Sequence, residues 1–231
     1  MLKPKKRITK REMKEDRLVT TYFEAQSWFE ENKKRISSIF FTLVLVGVAA
    51  WFYYNNLATQ NVAAAADLGK IIRFFDEGRY QVAINGLPEQ NLRGLQQIVD
   101  EYSGTEAGER ATFYLANSYY AIGNYEKALQ YYEEADMGDN SLMAAVIAGI
   151  GACHEVMGNH EKAAQQFERA ASEDALQYHS AENLYRAGQN YLLAGNKEKA
   201  EEILKKLKAN HPSSQYSREA DRLLVRVRIQ G

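Results

Sequence analysis

The chain has 231 residues, of which 45% are hydrophobic and 26% charged, a balance typical of globular proteins. Its formal net charge of −1 hides an asymmetry, because residues 1–35 carry a net +5 and residues 36–231 a net −6. An acidic folded part argues against nucleic acid as the main partner, since duplex binding requires a basic face. Cys153 is the only cysteine, so an internal disulfide is excluded.

Residues 1–35 are predicted to form a basic segment that contains an amphipathic helix. Residues 1–14 hold seven Lys and Arg, and we expect them to be disordered and attracted to anionic lipid. From Leu18 to Phe29, apolar residues recur at steps of three and four with polar residues between them. Two interpretations stay open: this helix lies flat on a membrane or docks on a membrane partner, or it extends the next helix into the cytosol.

Residues 36–54 read ISSIFFTLVLVGVAAWFYY and contain no charged side chain over 19 positions. At about 1.5 Å per residue, a helix of this length spans roughly the hydrocarbon thickness of a bilayer. The sequence therefore predicts a transmembrane helix. The alternative is a cleaved signal peptide, since small residues occur at 48–50 and 63–66. A leader of 35 residues with six acidic ones is far longer than an ordinary n-region, which favours an uncleaved anchor.

Charged and aromatic residues flanking the span indicate its orientation. No Lys or Arg follows the span until Lys70, so the positive-inside rule places the N-terminus in the cytoplasm and exports the C-terminal part. Aromatic rings at the far end suit the headgroup layer. The predicted anchor residues are Lys33, Lys34, Arg35, Trp51, Tyr53 and Tyr54.

Three similar hexapeptides divide the second half of the chain. They read GNYEKA at 123–128, GNHEKA at 158–163 and GNKEKA at 195–200, so the spacings are 35 and 37 residues. Periods of this size are typical of stacked helical hairpins. The Gly-Asn pair is predicted to end the first helix of each hairpin, because both residues tolerate a left-handed backbone.

Small and bulky residues recur in register with these hexapeptides. A small residue lies seven positions before each glycine, and an alanine lies five positions after it. Helices are expected to cross closely at both positions. A bulky core residue follows four positions after the alanine. In chain order the three groups are Ala116, Gly151 and Gly188; Ala128, Ala163 and Ala200; and Tyr132, Phe167 and Leu204.

This pattern resembles the tetratricopeptide repeat family over residues 106–212. The resemblance implies an all-α protein in which a single N-terminal transmembrane helix precedes an α-solenoid of tetratricopeptide-type helical hairpins. The predicted parts are the basic cytoplasmic segment 1–35, the span 36–54, a linker and degenerate hairpin at 55–105, three repeats at 106–212 and a capping helix at 213–231. Within 55–105 we expect a short linker at 55–61, an irregular insertion at 84–91 and a returning helix over 92–102.

The sequence contains no pattern that points to catalysis. We find no phosphate-binding glycine loop, no Gly-x-Ser-x-Gly and no CxxC, and the four histidines have no zinc-ligand spacing. His154 and His160 are interpreted as packing residues, and Cys153 as a small core residue. We therefore predict a protein that is not an enzyme, with no catalytic residue, cofactor or metal site.

In arrays of this family the concave wall is made by the first helix of each repeat, so the resemblance implies a protein-binding groove. Aromatic walls with small residues between them suit an extended or helical peptide. The alternative is that Phe113 and Tyr185 only pack inside the solenoid. Relatives that clamp acidic chaperone tails use lysines where this chain has Phe113 and Glu182, and only Asn117 and Arg186 fit that pattern. The implied groove residues are Phe113, Asn117, Tyr120, Ala148, Ala152, Glu155, Tyr185, Gln189 and Leu192.

The order of parts also resembles the YfgM-like group of bacterial inner-membrane proteins, which are ancillary to the Sec translocon and associate with periplasmic chaperones. This likeness implies an inner-membrane scaffold with a cytoplasmic N-terminus and a periplasmic C-terminal domain that binds other proteins or peptides. The expected partners are translocon subunits, periplasmic chaperones and membrane lipid, with no nucleic acid. The alternative function is a structural scaffold for another cell-envelope assembly machine.

Overall fold

A computed structural model of the chain describes residues 10–138, 140–174, 177 and 179–229, with the side chains of 19–138, 142–174, 177 and 179–225. The chain divides into two compact units, Met1–Asn56 and Leu57–Gly231. The predicted all-α class is confirmed, since helices dominate the described residues and the strands are two residues long. The helices are α1 (Lys10–Asp76), α2 (Tyr80–Asn85), α3 (Leu95–Tyr102), α4 (Glu106–Ala121), α5 (Tyr125–Glu134), α6 (Asn140–Val156), α7 (His160–Glu173), α8 (Ser180–Leu193), α9 (Lys197–Asn210) and α10 (Gln215–Ile229).

In the first unit, residues 10–56 form one uninterrupted helical segment of α1. Among the described residues, α1 is the one helix long and apolar enough to cross a membrane, with a mean hydropathy of 2.0 over its most apolar window. The amphipathic stretch and the predicted span are parts of the same continuous helix. Disorder was predicted for residues 1–14. Residues 1–9 lie outside the described part of the chain, and residues 10–14 are helical.

Residues 55–61, predicted as a linker, are instead helical and belong to α1. Their sequence NNLATQN contains neither Gly nor Pro, so nothing in it stops a helix. In the second unit, the last part of α1 buries one stripe of side chains at steps of three and four. These buried residues are Ala64, Leu68, Ile71 and Phe74.

The insertion predicted as irregular at 84–91 is an ordered hairpin. Strands β1 (Gly86–Leu87) and β2 (Leu92–Arg93) pair antiparallel around a 3-10 turn over Pro88–Gln90. A Cβ atom on Gly94 would lie 2.3 Å from the Ile84 carbonyl oxygen, so glycine permits this close backbone approach. The returning helix α3 begins at Leu95, later than predicted, because residues 92–93 are taken up by β2.

The repeat hairpins pair α4 with α5, α6 with α7 and α8 with α9. Gly123, Gly158 and Gly195 each have a positive φ, near 80°, and end the first helix of a hairpin. The asparagines play a different part from the one predicted. Asn124 and Asn196 have φ near −90°, and each side chain caps the next helix by accepting from the backbone N–H three residues later.

Inside the second and third hairpins a small residue of one helix meets a bulky residue of the other. A Cβ atom on Gly151 would lie 3.1 Å from the Phe167 ring, and one on Gly188 would lie 2.6 Å from Leu204 Cδ2. Phe167 and Leu204 are fully buried. The predicted register of small and bulky residues is therefore present, and it sets how closely the helices cross.

Candidate interaction groove

The first helices of the three repeats, α4, α6 and α8, contribute most of the lining of an open cavity of about 320 Å³. We call this cavity the groove. Part of its lining comes from the residues that the repeat register assigns to the concave face. Its volume is at the lower end of the range for ligand pockets. A cavity of this size accommodates a few side chains of a peptide but not a whole protein domain.

The floor of the groove is the middle of α6, where the sequence reads AAVIAGIGA. Small residues recur there at steps of three and four, so they share one face of the helix. The glycine at position 149 also lets Tyr132 approach α6, since a Cβ atom there would lie 2.5 Å from the Tyr132 ring. The floor residues are Ala144, Ala145, Ala148, Gly149 and Ala152.

Three aromatic side chains, Phe113, Tyr120 and Tyr132, form the apolar wall. The Phe113 and Tyr132 ring centroids are 6.2 Å apart. The Tyr132 hydroxyl donates to Asn117 Oδ1 at 2.8 Å, and Asn117 Nδ2 donates to the Phe113 carbonyl oxygen at 2.8 Å. Burial raises the pKa of Tyr132 and of Tyr120, so both remain neutral donors at physiological pH. These bonds fix the wall before any ligand arrives.

The rim at the α7–α8 end carries the charges. Asp174 is buried, and its Oδ2 accepts from the His179 backbone N–H at 2.7 Å, which fixes the carboxylate beside the start of α8. Glu182 follows in the first turn of α8. Arg186 lies one turn further along, with its guanidinium carbon 4.1 Å from the centre of the Phe167 ring.

Arg186 is held by a polar network that joins α6, α7 and α8. Its guanidinium pairs with Glu155, and both side chains are about one-quarter exposed. Asn190 Nδ2 donates to Glu155 Oε1 at 2.6 Å, and Asn190 Oδ1 lies 3.0 Å from His160 Nδ1. The charge of Arg186 is thus already matched by a carboxylate outside the groove lining.

The structure brings together only some of the residues implied to form one groove. Phe113, Asn117, Tyr120, Ala148 and Ala152 line the cavity. Glu155 lies behind the lining and reaches it through Arg186.

The other three, Tyr185, Gln189 and Leu192, lie on a different face of α8. The Tyr185 ring centroid is 5.6 Å from that of Tyr216 in α10, and Gln189 Nε2 donates to the Tyr185 hydroxyl at 3.0 Å. In the last repeat this face meets the capping helix, which stands where the first helix of a further repeat would be. The repeat register alone therefore does not place these residues on the cavity.

Sequence reasoning missed part of the lining. The run of small residues in α6 could have revealed the floor, because only a helix facing open space or a close neighbour carries so many. Asp174 follows α7 and His179 precedes α8, and no motif in the sequence indicates that these two residues lie at the groove. Glu182 and Arg186 were considered only as positions of a clamp for acidic tails, and the lining residues not anticipated are Tyr132, Ala144, Ala145, Gly149, Asp174, His179 and Asn183.

The predicted anchor residues all lie on α1 in the first unit, with exposed side chains: Lys33, Lys34, Arg35, Trp51, Tyr53 and Tyr54. Within the described ranges no group of three or more His, Cys, Asp or Glu is arranged to hold a metal ion. Burial raises the pKa of the Cys153 thiol to about 12, so at neutral pH it is protonated and poorly nucleophilic.

The hairpin geometry and the groove define an α-solenoid of the repeat class. A family model described as "Tetratricopeptide repeat-like domain" matches residues 26–173, more than half of the chain, and the chain belongs to this family. A model described as "Tetratricopeptide repeat" matches residues 182–214. Members of this family are typically non-catalytic and bind other proteins or peptides.

Among solved structures, the chain is similar to the nearly identical TPR-like repeats assigned to a kinesin light chain of Podosopora anserina. The sequences are 16% identical, the match covers 74% of this chain and 85% of that one, and the TM-score is 0.52. A single-substitution variant of those repeats has 18% identity, coverage of 75% and 93%, and a TM-score of 0.49. At such identities the likeness concerns the fold alone. The search of curated proteins gave no match.

Proposed function

We propose that this protein is a membrane-anchored interaction scaffold whose repeats bind segments of other proteins in the groove on the exported face of a bacterial inner membrane. The groove is the observation that carries the proposal. It is open, apolar and floored by small residues, and its aromatic wall is fixed in advance by hydrogen bonds. Such a site lets an apolar side chain enter without costly rearrangement.

The anchoring part of the proposal rests on the first unit. We assign residues 1–35 to the cytoplasm and 36–54 to the membrane. The span exposes its apolar side chains, which lipid would cover at no cost and water would not. The three basic residues at its start favour a cytoplasmic N-terminus.

We further propose that the partners are translocon subunits and periplasmic chaperones, with the groove receiving or handing on secreted chains. The support is the order of parts, which resembles the YfgM-like group. Affinity purification of the full chain from bacterial membranes separates this from a scaffold for another envelope machine. Recovery of translocon subunits favours the first, whereas recovery of cell-wall or outer-membrane assembly proteins without them favours the second.

Crosslinking in living cells tests the groove itself. A photoreactive amino acid replaces Tyr120 on the wall, and the matched control replaces Gln165, which is exposed on α7 and outside the groove lining. We expect adducts with exported proteins from position 120 and few from position 165. Equal adducts from both positions, or none from position 120, would contradict the proposed binding surface.

A further inference from the structure

The charges around the groove deepen the proposed function, on which this inference rests. Two carboxylates, Asp174 and Glu182, line the α7–α8 end. Among the described lining residues Arg186 is the one Lys or Arg, and Glu155 already pairs with it. Asp174, Glu182, Glu155 and Arg186 together have a formal charge of −2.

Neither carboxylate is neutralised by a cation in the structure as described. Asp174 accepts from the His179 backbone N–H, and burial together with the nearby Glu182 raises the pKa of the Tyr216 hydroxyl, so the group beside each carboxylate is uncharged. The low-dielectric surroundings of a half-enclosed groove lengthen the reach of such charges compared with an open surface.

The apolar part of the groove lies beside these charges. Ala148 and Ala152 leave room above the floor, and Phe113 and Tyr120 bound it on the α4 side. One end of the groove thus suits an aliphatic or small aromatic side chain, and the other suits a cation.

We propose that the occupant of the groove is a peptide segment in which an apolar side chain enters the alanine floor and an adjacent Lys or Arg pairs with Asp174 and Glu182. This selectivity is opposite to that of relatives that clamp acidic chaperone tails with lysines. The same carboxylates would repel a peptide whose apolar residue is followed by Asp or Glu.

Peptide binding by the full chain tests the inference. The protein is placed in nanodiscs of zwitterionic lipid, so that basic probes are not attracted to the bilayer, and empty nanodiscs provide the blank. Three fluorescent probes share the segment Ala-Leu-Phe-Ala-Leu, followed by Lys-Lys, Gln-Gln or Glu-Glu. We expect the lysine probe to bind about fivefold more tightly than the glutamine probe and the glutamate probe to bind most weakly.

Variants locate the selectivity. Glu182→Gln and Asp174→Asn each remove one charge but keep a side-chain oxygen, and each should weaken binding of the lysine probe severalfold more than binding of the glutamine probe. Glu173→Gln is the matched control, since its side chain is exposed one residue from Asp174 and outside the lining. We expect it to have no effect beyond a small uniform change.

The outcomes separate this inference from the proposed function. If the three probes bind equally and Ala148→Trp abolishes binding of all three, the groove binds peptides but the charge preference is wrong. A preference for the glutamate probe, or failure of the lysine probe to bind at all, also overturns the inference. Crosslinking from position 120 then decides separately whether the groove is an interaction surface.

Discussion

The span at 36–54 and helix α6 are the two most apolar helical stretches, yet their side chains have opposite surroundings. Val46 in the span is 60% exposed, whereas Val146 in α6 is 1% exposed. The apolar part of α6, Leu142–Val156, is about 22 Å long at 1.5 Å per residue, too short to cross a bilayer. Gly149 and Gly151 of α6 also lie where the rings of Tyr132 and Phe167 approach, whereas a Cβ atom on Gly47 of the predicted span would meet nothing within 4 Å.

This difference shows that hydrophobicity by itself does not decide what surrounds a helix. Exposed apolar residues without a charged side chain, as at 36–54, leave no polar side to face water. Alanines and glycines at steps of three and four, as in α6, allow neighbouring helices to pack closely on one face and leave a groove on another. The following predictions compare matched residues of the two regions.

The largest expected effect comes from placing an acid at matched valines. Val146→Asp buries a charge without a partner and should destabilise the repeats by about 3–5 kcal/mol. Val46→Asp should leave the repeats intact but hinder membrane insertion by about 3 kcal/mol. The rate at which Cys153, the only cysteine, is alkylated in urea reports opening of the repeats, and membrane fractionation reports insertion. Equal rates of Cys153 alkylation in the two variants would contradict the difference in surroundings between Val146 and Val46.

Replacing matched glycines tests the packing contrast. Gly151→Leu should overpack the contact with Phe167 and cost about 1–3 kcal/mol or more, because the ring is already 3.1 Å from the position of a Cβ atom. A Cβ atom on Gly47 in the span would meet nothing within 4 Å, so Gly47→Leu should not change repeat stability. Ala163→Leu, at the other small position of the same hairpin, should behave like Gly151→Leu. Unchanged urea midpoints for both would mean that the repeat register is wrong.

Two tyrosines at equivalent helix faces should behave differently. Tyr120→Ala should weaken binding of the glutamine probe by about 2 kcal/mol, as for an aromatic hot spot, with little loss of stability. Tyr185→Ala should mainly destabilise the chain, because its ring packs on Tyr216. Binding and urea unfolding measured on the same samples separate the effects. If Tyr120→Ala instead costs about 3–5 kcal/mol of stability, Tyr120 is a core residue and not part of the groove wall.

The smallest effect concerns His154. Its Nδ1 is buried with no hydrogen-bond partner among the described residues, and burial together with the nearby Lys162 lowers the pKa of the ring below its ordinary 6.5. A lowered pKa means that the folded state favours the neutral ring, so its contribution to stability is complete above pH 6.5 and is lost as the pH falls through the lowered value. Tyr119 and Tyr191 occupy the equivalent positions, so His154→Phe is a suitable variant. The urea midpoint of this variant should depend less on pH below 6.5 than that of the parent; identical slopes would contradict the assignment.

The repeat array could be predicted from sequence because its determinants are local. The glycines at 123, 158 and 195 recur with the small residues that face Phe167 and Leu204, and each position keeps its role in the structure. The hairpin at 86–93 could not be predicted, since it depends on the backbone contact at Gly94. Helix α1 continues through 55–61, where a linker was predicted, because nothing in that sequence breaks a helix.

The groove was predictable only in part. The wall on α4 and two floor residues follow from the register, but Asp174 and His179 lie outside the repeated helix positions that the register assigns to the groove. Tyr185 lies on the face of α8 that meets α10, so the repeat register alone does not place it on the cavity. The packing of α10 on α8 gives the third repeat a neighbour that the repeat pattern does not indicate.

One measurement tests most directly whether the exposed apolar helix anchors the repeats outside the cytoplasm. A reporter that is active only outside the cytoplasm is fused after Gly231, and the intact mass of the purified protein is determined from the same cells. We predict an active reporter and a mature protein that retains the residues ahead of Arg35. An inactive reporter, or a mature N-terminus near Trp51, would contradict the anchor and with it the contrast between the two apolar helices.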